Sequence, residues 1–229
     1  MKKSHGFSLI ECLIVIAIIA LLMAITLPCL GRARLQAKTV TVDLELRQIG
    51  IALDLYMDDN NRKCPPTRKD CSLGWQDHLL PPELAEGGYL PKSSEPDTMP
   101  VGIEDRFYSG QTYRYWAVGD LVQNGALSMI QRSTMYVPPG FPDTEGAAED
   151  DILYKDPKMS PVTWVVYSVG PNYDDDVAFD LLKVKHGPVA RRSWFSPSKK
   201  VGFLTRLRLR KGRQTGTFEM KGLAYDLED

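Results

Sequence analysis

A predominantly apolar run of 24 residues, Phe7 to Leu30, reads FSLIECLIVIAIIALLMAITLPCL and holds a single charged residue, Glu11. As a helix it is about 36 Å long at ~1.5 Å per residue, enough to cross a bilayer. A helix that is apolar all round must be covered by lipid or by other apolar surfaces, so this segment constrains the fold more than any other. An ionised carboxylate beside hydrocarbon costs several kcal/mol and needs a partner. That partner is either on another subunit or an N-terminal amine created by cleavage just upstream. An ordinary secretory signal has a shorter apolar core and an A-x-A-like cut site, whereas the best candidate here, Leu22-Met23-Ala24, is poor. A plain signal anchor could have this length, but it has no use for Glu11 or for the Gly6-Phe7 step.

The residues before the run, MKKSHG, form a short basic leader ending in Gly6. Gly6, Phe7, Ser8, Leu9, Ile10 and Glu11, with Pro28 further on, resemble the class III signal of type IV pilins and type II secretion pseudopilins. The resemblance implies that a prepilin peptidase cuts after Gly6 and methylates the new amine of Phe7. It also implies that Glu11, then the fifth residue of the mature chain, pairs with the N-terminal amine of a neighbouring subunit during filament assembly.

Lys2 and Lys3 precede the span, and the positive-inside tendency keeps that end in the cytoplasm. The expected location is the bacterial inner membrane, single-pass, with the C-terminal domain in the periplasm and the assembled filament in the periplasm or at the cell surface. The net charge of −1 becomes −3 when Lys2 and Lys3 leave with the leader, too little to imply a strongly charged partner. Of the four cysteines, Cys12 and Cys29 lie in the span as small apolar residues. Cys64 and Cys71, in CPPTRKDC, either close a short disulfide loop in an oxidising compartment or stay reduced. A closed zinc site would need more ligands than these two and His78.

Beyond the span, Leu35, Val42, Leu46, Ile49, Leu53 and Tyr56 recur at spacings of seven, four, three, four and three, one stripe of a helix. Arg34, Gln36, Lys38, Asp43, Glu45, Arg47 and Gln48 suit its wet face. One helix is therefore expected from about Ser8 to Met57, kinked or loosened at Pro28 and weak at Gly31. It ends in Asp58-Asp59-Asn60-Asn61 and Pro65-Pro66. Here Ala52-Leu53-Asp54-Leu55-Tyr56 and Asp59-Asn60 resemble the pattern that follows the helix in major pseudopilins. Asn61 stands where that pattern has glycine, and Cys64-Pro65 replaces its aromatic-proline step. The expected division is a leader at 1–6, a transmembrane or filament-core helix at 7–30, and a globular domain at 31–229 that includes the amphipathic helix 31–57.

The globular part reads as loop-rich, with a short helix from Gln76 to Leu80 and few long elements between Pro81 and Pro100. Strands are expected at Thr112–Val118, Trp164–Val169, Lys200–Phe203 and Leu204–Leu209. Val137 to Lys158, with its acidic Glu149-Asp150-Asp151, reads as an exposed loop. The fold class is α+β and pilin-like, a long N-terminal helix packed on a small antiparallel sheet.

Two further features carry possible chemistry. Asp174, Asp175 and Asp176 follow a Ser-Val-Gly-Pro-Asn turn. Three successive carboxylates either hold a cation or form a solvated acidic turn. Major pseudopilins have a similar loop that binds calcium, which makes calcium the implied ion and these aspartates the ligands. Tyr173 departs from that pattern, which has glycine there. Arg206, Arg208 and Arg210 alternate with Leu207 and Leu209. They form either a cationic ridge for phosphates, lipid head groups or an acidic partner, or the charged face of an edge strand. Without interleaved aromatic residues, nucleic acid is not the expected partner. His5, His78 and His186 sit in no metal or nucleophile motif, no phosphate loop is present, and no catalytic residue is assigned.

The sequence thus reads as a non-enzymatic structural subunit, a pseudopilin polymerising into a type II secretion pseudopilus. The alternative is a type IV pilus subunit for adhesion or DNA uptake. The implied partners are copies of itself, other pseudopilins, the prepilin peptidase, an inner-membrane assembly platform and the membrane.

Overall fold

The computed structural model describes residues 9–69, 78–94, 99–144, 150–171, 187–198 and 200–219. The first element, α1 (Leu9–Asp59), runs as helix through Pro28 and Gly31. The chain divides into two compact units, Met1–Lys38 and Thr39–Asp229, and α1 contributes to both.

In the first unit, none of the large apolar side chains from Leu9 to Leu30 is less than 44% exposed. Burying one such side chain is worth ~1.5–3 kcal/mol, so a helix of this composition is stable in lipid or in an apolar assembly. By length and composition it is able to cross a membrane.

In the second unit, α1 presents Val42, Leu46, Ile49 and Leu53 to the core, all buried, at the spacing the sequence predicts; at the end of the stripe Met57 is buried, and the expected Tyr56 is half-buried beside it. Its end is built by Asn60, whose Nδ2 donates to the Tyr56 carbonyl at 2.8 Å, and by Asn61 and Arg62 at φ 53° and 60°. Asparagine is among the few side chains that enter this left-handed region readily, which explains how Asn61 stands where glycine is usual.

The remaining elements are β1 (Thr67–Lys69), α2 (Glu83–Glu86), β2 (Glu104–Asp105), β3 (Tyr108–Thr112), β4 (Arg114–Ala117), β5 (Leu121–Gln123), β6 (Ala126–Leu127), β7 (Met135–Val137), β8 (Ile152–Tyr154), β9 (Val162–Ser168), β10 (Leu204–Leu209) and β11 (Gln214–Gly216). The main sheet has the order β11-β10-β9-β4 and is antiparallel throughout. Its strongest strand, β9, is buried on both faces, as its near-continuous apolar run requires. Trp164 and Val166, with Tyr115 and Leu204, join the cluster that contains the α1 stripe. Val165 and Tyr167, with Leu207 and Phe203, face a second cluster built from Met135, Val137, Phe141 and Trp194. The expected α+β architecture of long helix and small antiparallel sheet is the one observed.

Several expected boundaries shift. The stretch Thr112–Val118 divides at Tyr113, because β3 pairs with β2 while β4 pairs with β9. Lys200–Phe203 makes isolated bridges, Ser196↔Val201 and Trp194↔Phe203, and the ladder starts only at Leu204. The loop expected from Val137 to Lys158 contains β8, which pairs with β7. Of the helix expected at Gln76–Leu80, Gln76 and Asp77 lie outside the described residues. Leu79 instead bridges Arg114, and the short helix is α2. A second sheet, β1-β5-β6, includes a parallel pair, β1 with β5.

Candidate functional site

Gly6 and Phe7 lie outside the described residues. Glu11 sits in the first turn of α1 with its side chain exposed, among exposed apolar neighbours. The backbone of α1 remains helical through Pro28. The apolar first part of α1 therefore offers a continuous surface for lipid or for other helices, with one carboxylate near its start.

A second apolar surface lies on the part of α1 that belongs to the globular unit. Val40, Leu44, Ile51 and Leu55 are all more than half exposed. At ~100° per residue they fall within about 60° of each other, opposite the buried stripe. The sequence carries this signal as spacings of four, seven and four. Reading the outer face only for its polar residues misses it. Beside the stripe, Glu45 accepts hydrogen bonds from Arg106 Nε at 2.9 Å and from the Tyr113 hydroxyl. Burial first, and then Glu45, push the Tyr113 phenol well above its ordinary value, so it acts as a permanent donor.

The basic strand is placed differently from either expectation. β10 lies between β9 and β11, so it is not an edge. The alternation is as read, but the arginine side faces the core side of α1. Arg208 Nη1 donates to Asp54 Oδ1 at 2.8 Å. Arg206 is buried, donating to Gln214 Oε1 at 2.8 Å and to Glu219 Oε1 at 3.1 Å. Only Arg210 of the three is exposed. A surface ridge of Arg206, Arg208 and Arg210 is thus replaced by an inner polar seam that fastens the sheet to the helix. Truncating Arg208 leaves the Asp54 carboxylate short of a donor, so Arg208→Ala should cost about 1–3 kcal/mol, while Arg210→Ala should stay within about 0.5 kcal/mol. Urea unfolding of the detergent-solubilised chain checks this, and equal effects of the two substitutions would contradict the inner seam.

Cys64 packs its thiol against Met57 Sδ at 3.8 Å and the Thr163 carbonyl at 3.7 Å, and burial pushes its pKa up to about 12. Its expected disulfide partner, Cys71, lies outside the described residues. So do Asp174, Asp175 and Asp176. The segment that leads to them is ordered by Ser168, whose Oγ donates to Asp105 Oδ1 at 2.8 Å and accepts the Gly170 N–H at 3.2 Å. Among the described residues, no three His, Cys, Asp or Glu side chains gather to hold a metal. In the acidic patch, Asp151 pairs with Arg192, Asp150 is exposed, and Glu149 lies outside the described residues.

Comparison with known proteins adds two findings. Residues 1–27 match the family model of the prokaryotic N-terminal methylation motif. The chain is also similar to the type IV wide pilus major component PilA4 of Thermus thermophilus, 44% identical over 61 residues. That stretch covers 27% of this chain and 47% of the relative, so the match spans about half the relative's length. No solved structure matches.

Proposed function

We propose that this type IV pilin-like chain is a membrane-anchored structural subunit, cut after Gly6, methylated on Phe7 and polymerised with copies of itself. The observation that carries the reading is the continuity of the methylation motif with a single helix, Leu9–Asp59, whose large apolar side chains are exposed through its first part. Before assembly lipid covers that surface; afterwards neighbouring helices do. Apolar packing supplies most of the association free energy. Glu11 supplies register, because a carboxylate left unpaired in an apolar core is costly and the amine of a neighbouring Phe7 offsets it. The exposed stripe Val40, Leu44, Ile51 and Leu55 extends the same role into the globular unit. The prepilin peptidase and an inner-membrane assembly platform are the partners of this cycle. Calcium at Asp174, Asp175 and Asp176 and a Cys64–Cys71 bridge belong to the same reading.

Two filament types fit, each with its own support. A type II secretion pseudopilus is favoured by the likeness of Ala52–Tyr56 and Asp59-Asn60 to the major pseudopilins, and its work would be mechanical. A surface pilus is favoured by the relative, itself a type IV pilus component. Within that second reading, the inward placement of Arg206 and Arg208 argues against DNA capture by this strand.

The test is the intact mass of the protein from membranes of cells with and without a prepilin peptidase. The expected mass starts at Phe7 and carries one added methyl group, and it appears only when the peptidase is present. A mass that retains residues 1–6 in both strains, or one that starts near Ile25, would sink the proposal and leave a signal anchor or a conventionally exported domain.

A further inference from the structure

The stretch from Gly119 to Ser133 returns on itself. Gly119 and Ser133 exchange backbone hydrogen bonds at 3.0 and 2.9 Å, and β5 pairs with β6 between them. Ser128 then shapes a further turn, directly after β6, which forms an exposed tip of its own. The Ser128 N–H donates to the Leu121 carbonyl at 2.8 Å, and its Oγ accepts the Gln131 N–H at 2.9 Å. In this turn, which lies on the return segment after β6 and not at the Asn124-Gly125 end of the hairpin, Met129 is 101% exposed and Ile130 is 95% exposed. Loop tips tolerate polar residues at no cost, so two large apolar side chains presented on a hydrogen-bonded turn forgo burial in the isolated subunit. The adjacent Arg132 is exposed as well.

The same unit carries a groove of about 580 Å³ beside the outer face of α1. Ile51, Leu90, Pro91 and Ile103 give it an apolar floor. Its rim holds two carboxylates, Glu45 and Glu104, against one guanidinium, Arg106. The Ser109 hydroxyl at 2.7 Å and the Gly110 N–H at 2.6 Å both donate to Glu104 Oε1 and hold the carboxyl below its ordinary range.

We propose that the Met129–Ile130 tip of one copy seats in this groove on the next copy, with Arg132 set against Glu104. The occupant is a second copy because apolar tip and apolar floor match, the cation on the tip meets an anionic rim, and the tip stays bare within its own subunit. A contact between two different patches of one chain is heterologous, so it propagates from copy to copy instead of closing a two-fold pair. It rests on the self-association proposed above and adds a contact between globular units that does not involve the apolar first part of α1, although Ile51 of its second part lines the groove.

The experiment is photo-crosslinking in the full chain, in its own membrane, with a light-activated phenylalanine analogue at position 129 or, separately, at Ile16. Position 129 is expected to give self-adducts whose joined peptide contains Ile51, Leu90 or Ile103. Position 16 reports helix-mediated association independently. Self-adducts from position 16 without groove adducts from position 129 overturn the tip-and-groove contact and leave self-association standing. No self-adduct from either position overturns both. Capture of a different protein at position 129 overturns the second copy as occupant. Met129→Glu combined with Ile130→Glu changes only exposed positions. It should lower the yield of sedimentable filaments at least about tenfold at an unchanged level of membrane-bound subunit, the effect of losing one decade in association constant. An unchanged yield overturns the proposal.

Discussion

Gly50→Leu should destabilise the globular unit by about 1–3 kcal/mol or more, whereas Gly50→Ala should leave it nearly unchanged. A glycine inside a helix costs about 1 kcal/mol relative to alanine, so its presence in α1 calls for a reason. The reason is close approach. A Cβ built at Gly50 meets Gln214 Oε1 at 2.8 Å and Trp164 Cη2 at 3.0 Å. The Gln214 amide in turn donates to the Gly50 carbonyl at 3.2 Å and to Asp54 Oδ2 at 2.8 Å. Alanine asks the end of one flexible side chain and one ring edge to move by a few tenths of an ångström, which offsets the gain in helix propensity. Leucine adds three more carbons where Trp164 is fully buried, and overpacking of this kind costs about 1–3 kcal/mol or more, a large part of a typical 5–15 kcal/mol total. Chemical unfolding of the detergent-solubilised chain, followed by tryptophan emission, measures both substitutions. A Gly50→Leu chain as stable as the parent would show that the helix and sheet do not meet there.

The contrast between Gly50 and its neighbours shows what the sequence makes legible. Val42, Leu46, Ile49 and Leu53 repeat at helical spacing, and all are buried as that pattern requires. Gly50 beside them carries no periodic signal, because its role depends on Trp164 and Gln214, more than 100 positions away in the chain. The arginines of β10 make the same point. Alternation assigns Arg206 and Arg208 to one face, but only the pairing of β10 with both β9 and β11 decides that this face is inside. Short strands are the hardest to read. β2 and β6 have two residues each, too few for a period of two to emerge. At the candidate site, Glu11 stands out in the sequence because a charge in an apolar run is rare. The Val40–Leu55 stripe is hidden by the charged residues interspersed with it. The Met129–Ile130 tip needs its exposure to be noticed at all, since two apolar residues in a row also fit a core.

Acid should affect this domain through the buried Asp105 and the half-buried His78, which oppose each other, so the parent chain's response should be flatter than that of either single variant. Burial pushes the Asp105 carboxyl up to about 6 from 3.8, against the Phe107 N–H and Ser168 hydroxyl that donate to it and the nearby charge of Arg114. The folded chain thus binds this proton more tightly than the unfolded chain. Asp105 therefore adds stability as pH falls from 6 toward 3.8, and that contribution is lost as pH rises again. His78 does the reverse. Burial first, then the charges of Arg114 and Lys69, lower it from 6.5 to about 3, and its ring stacks on Trp116 at 4.3 Å. The unfolded chain takes up this proton first, so His78 removes stability as pH falls from 6.5 toward 3. Each pKa unit corresponds to about 1.4 kcal/mol, which makes both contributions a few kcal/mol and lets them largely cancel between pH 6 and 4. Between pH 6 and 4, Asp105→Asn should therefore lose about 2–3 kcal/mol more than the parent, whatever its offset at neutral pH from leaving Arg114 without that charge. His78→Phe, which keeps an aromatic ring against Trp116, should instead gain over the same interval. Below pH 3.8 the Asp105 contribution levels off while that of His78 continues to fall, so there the parent should weaken more steeply than His78→Phe. Unfolding free energies at half-unit steps from pH 7 to 3.5 measure this directly, and parallel curves for the three chains would show that neither group titrates in the environment described.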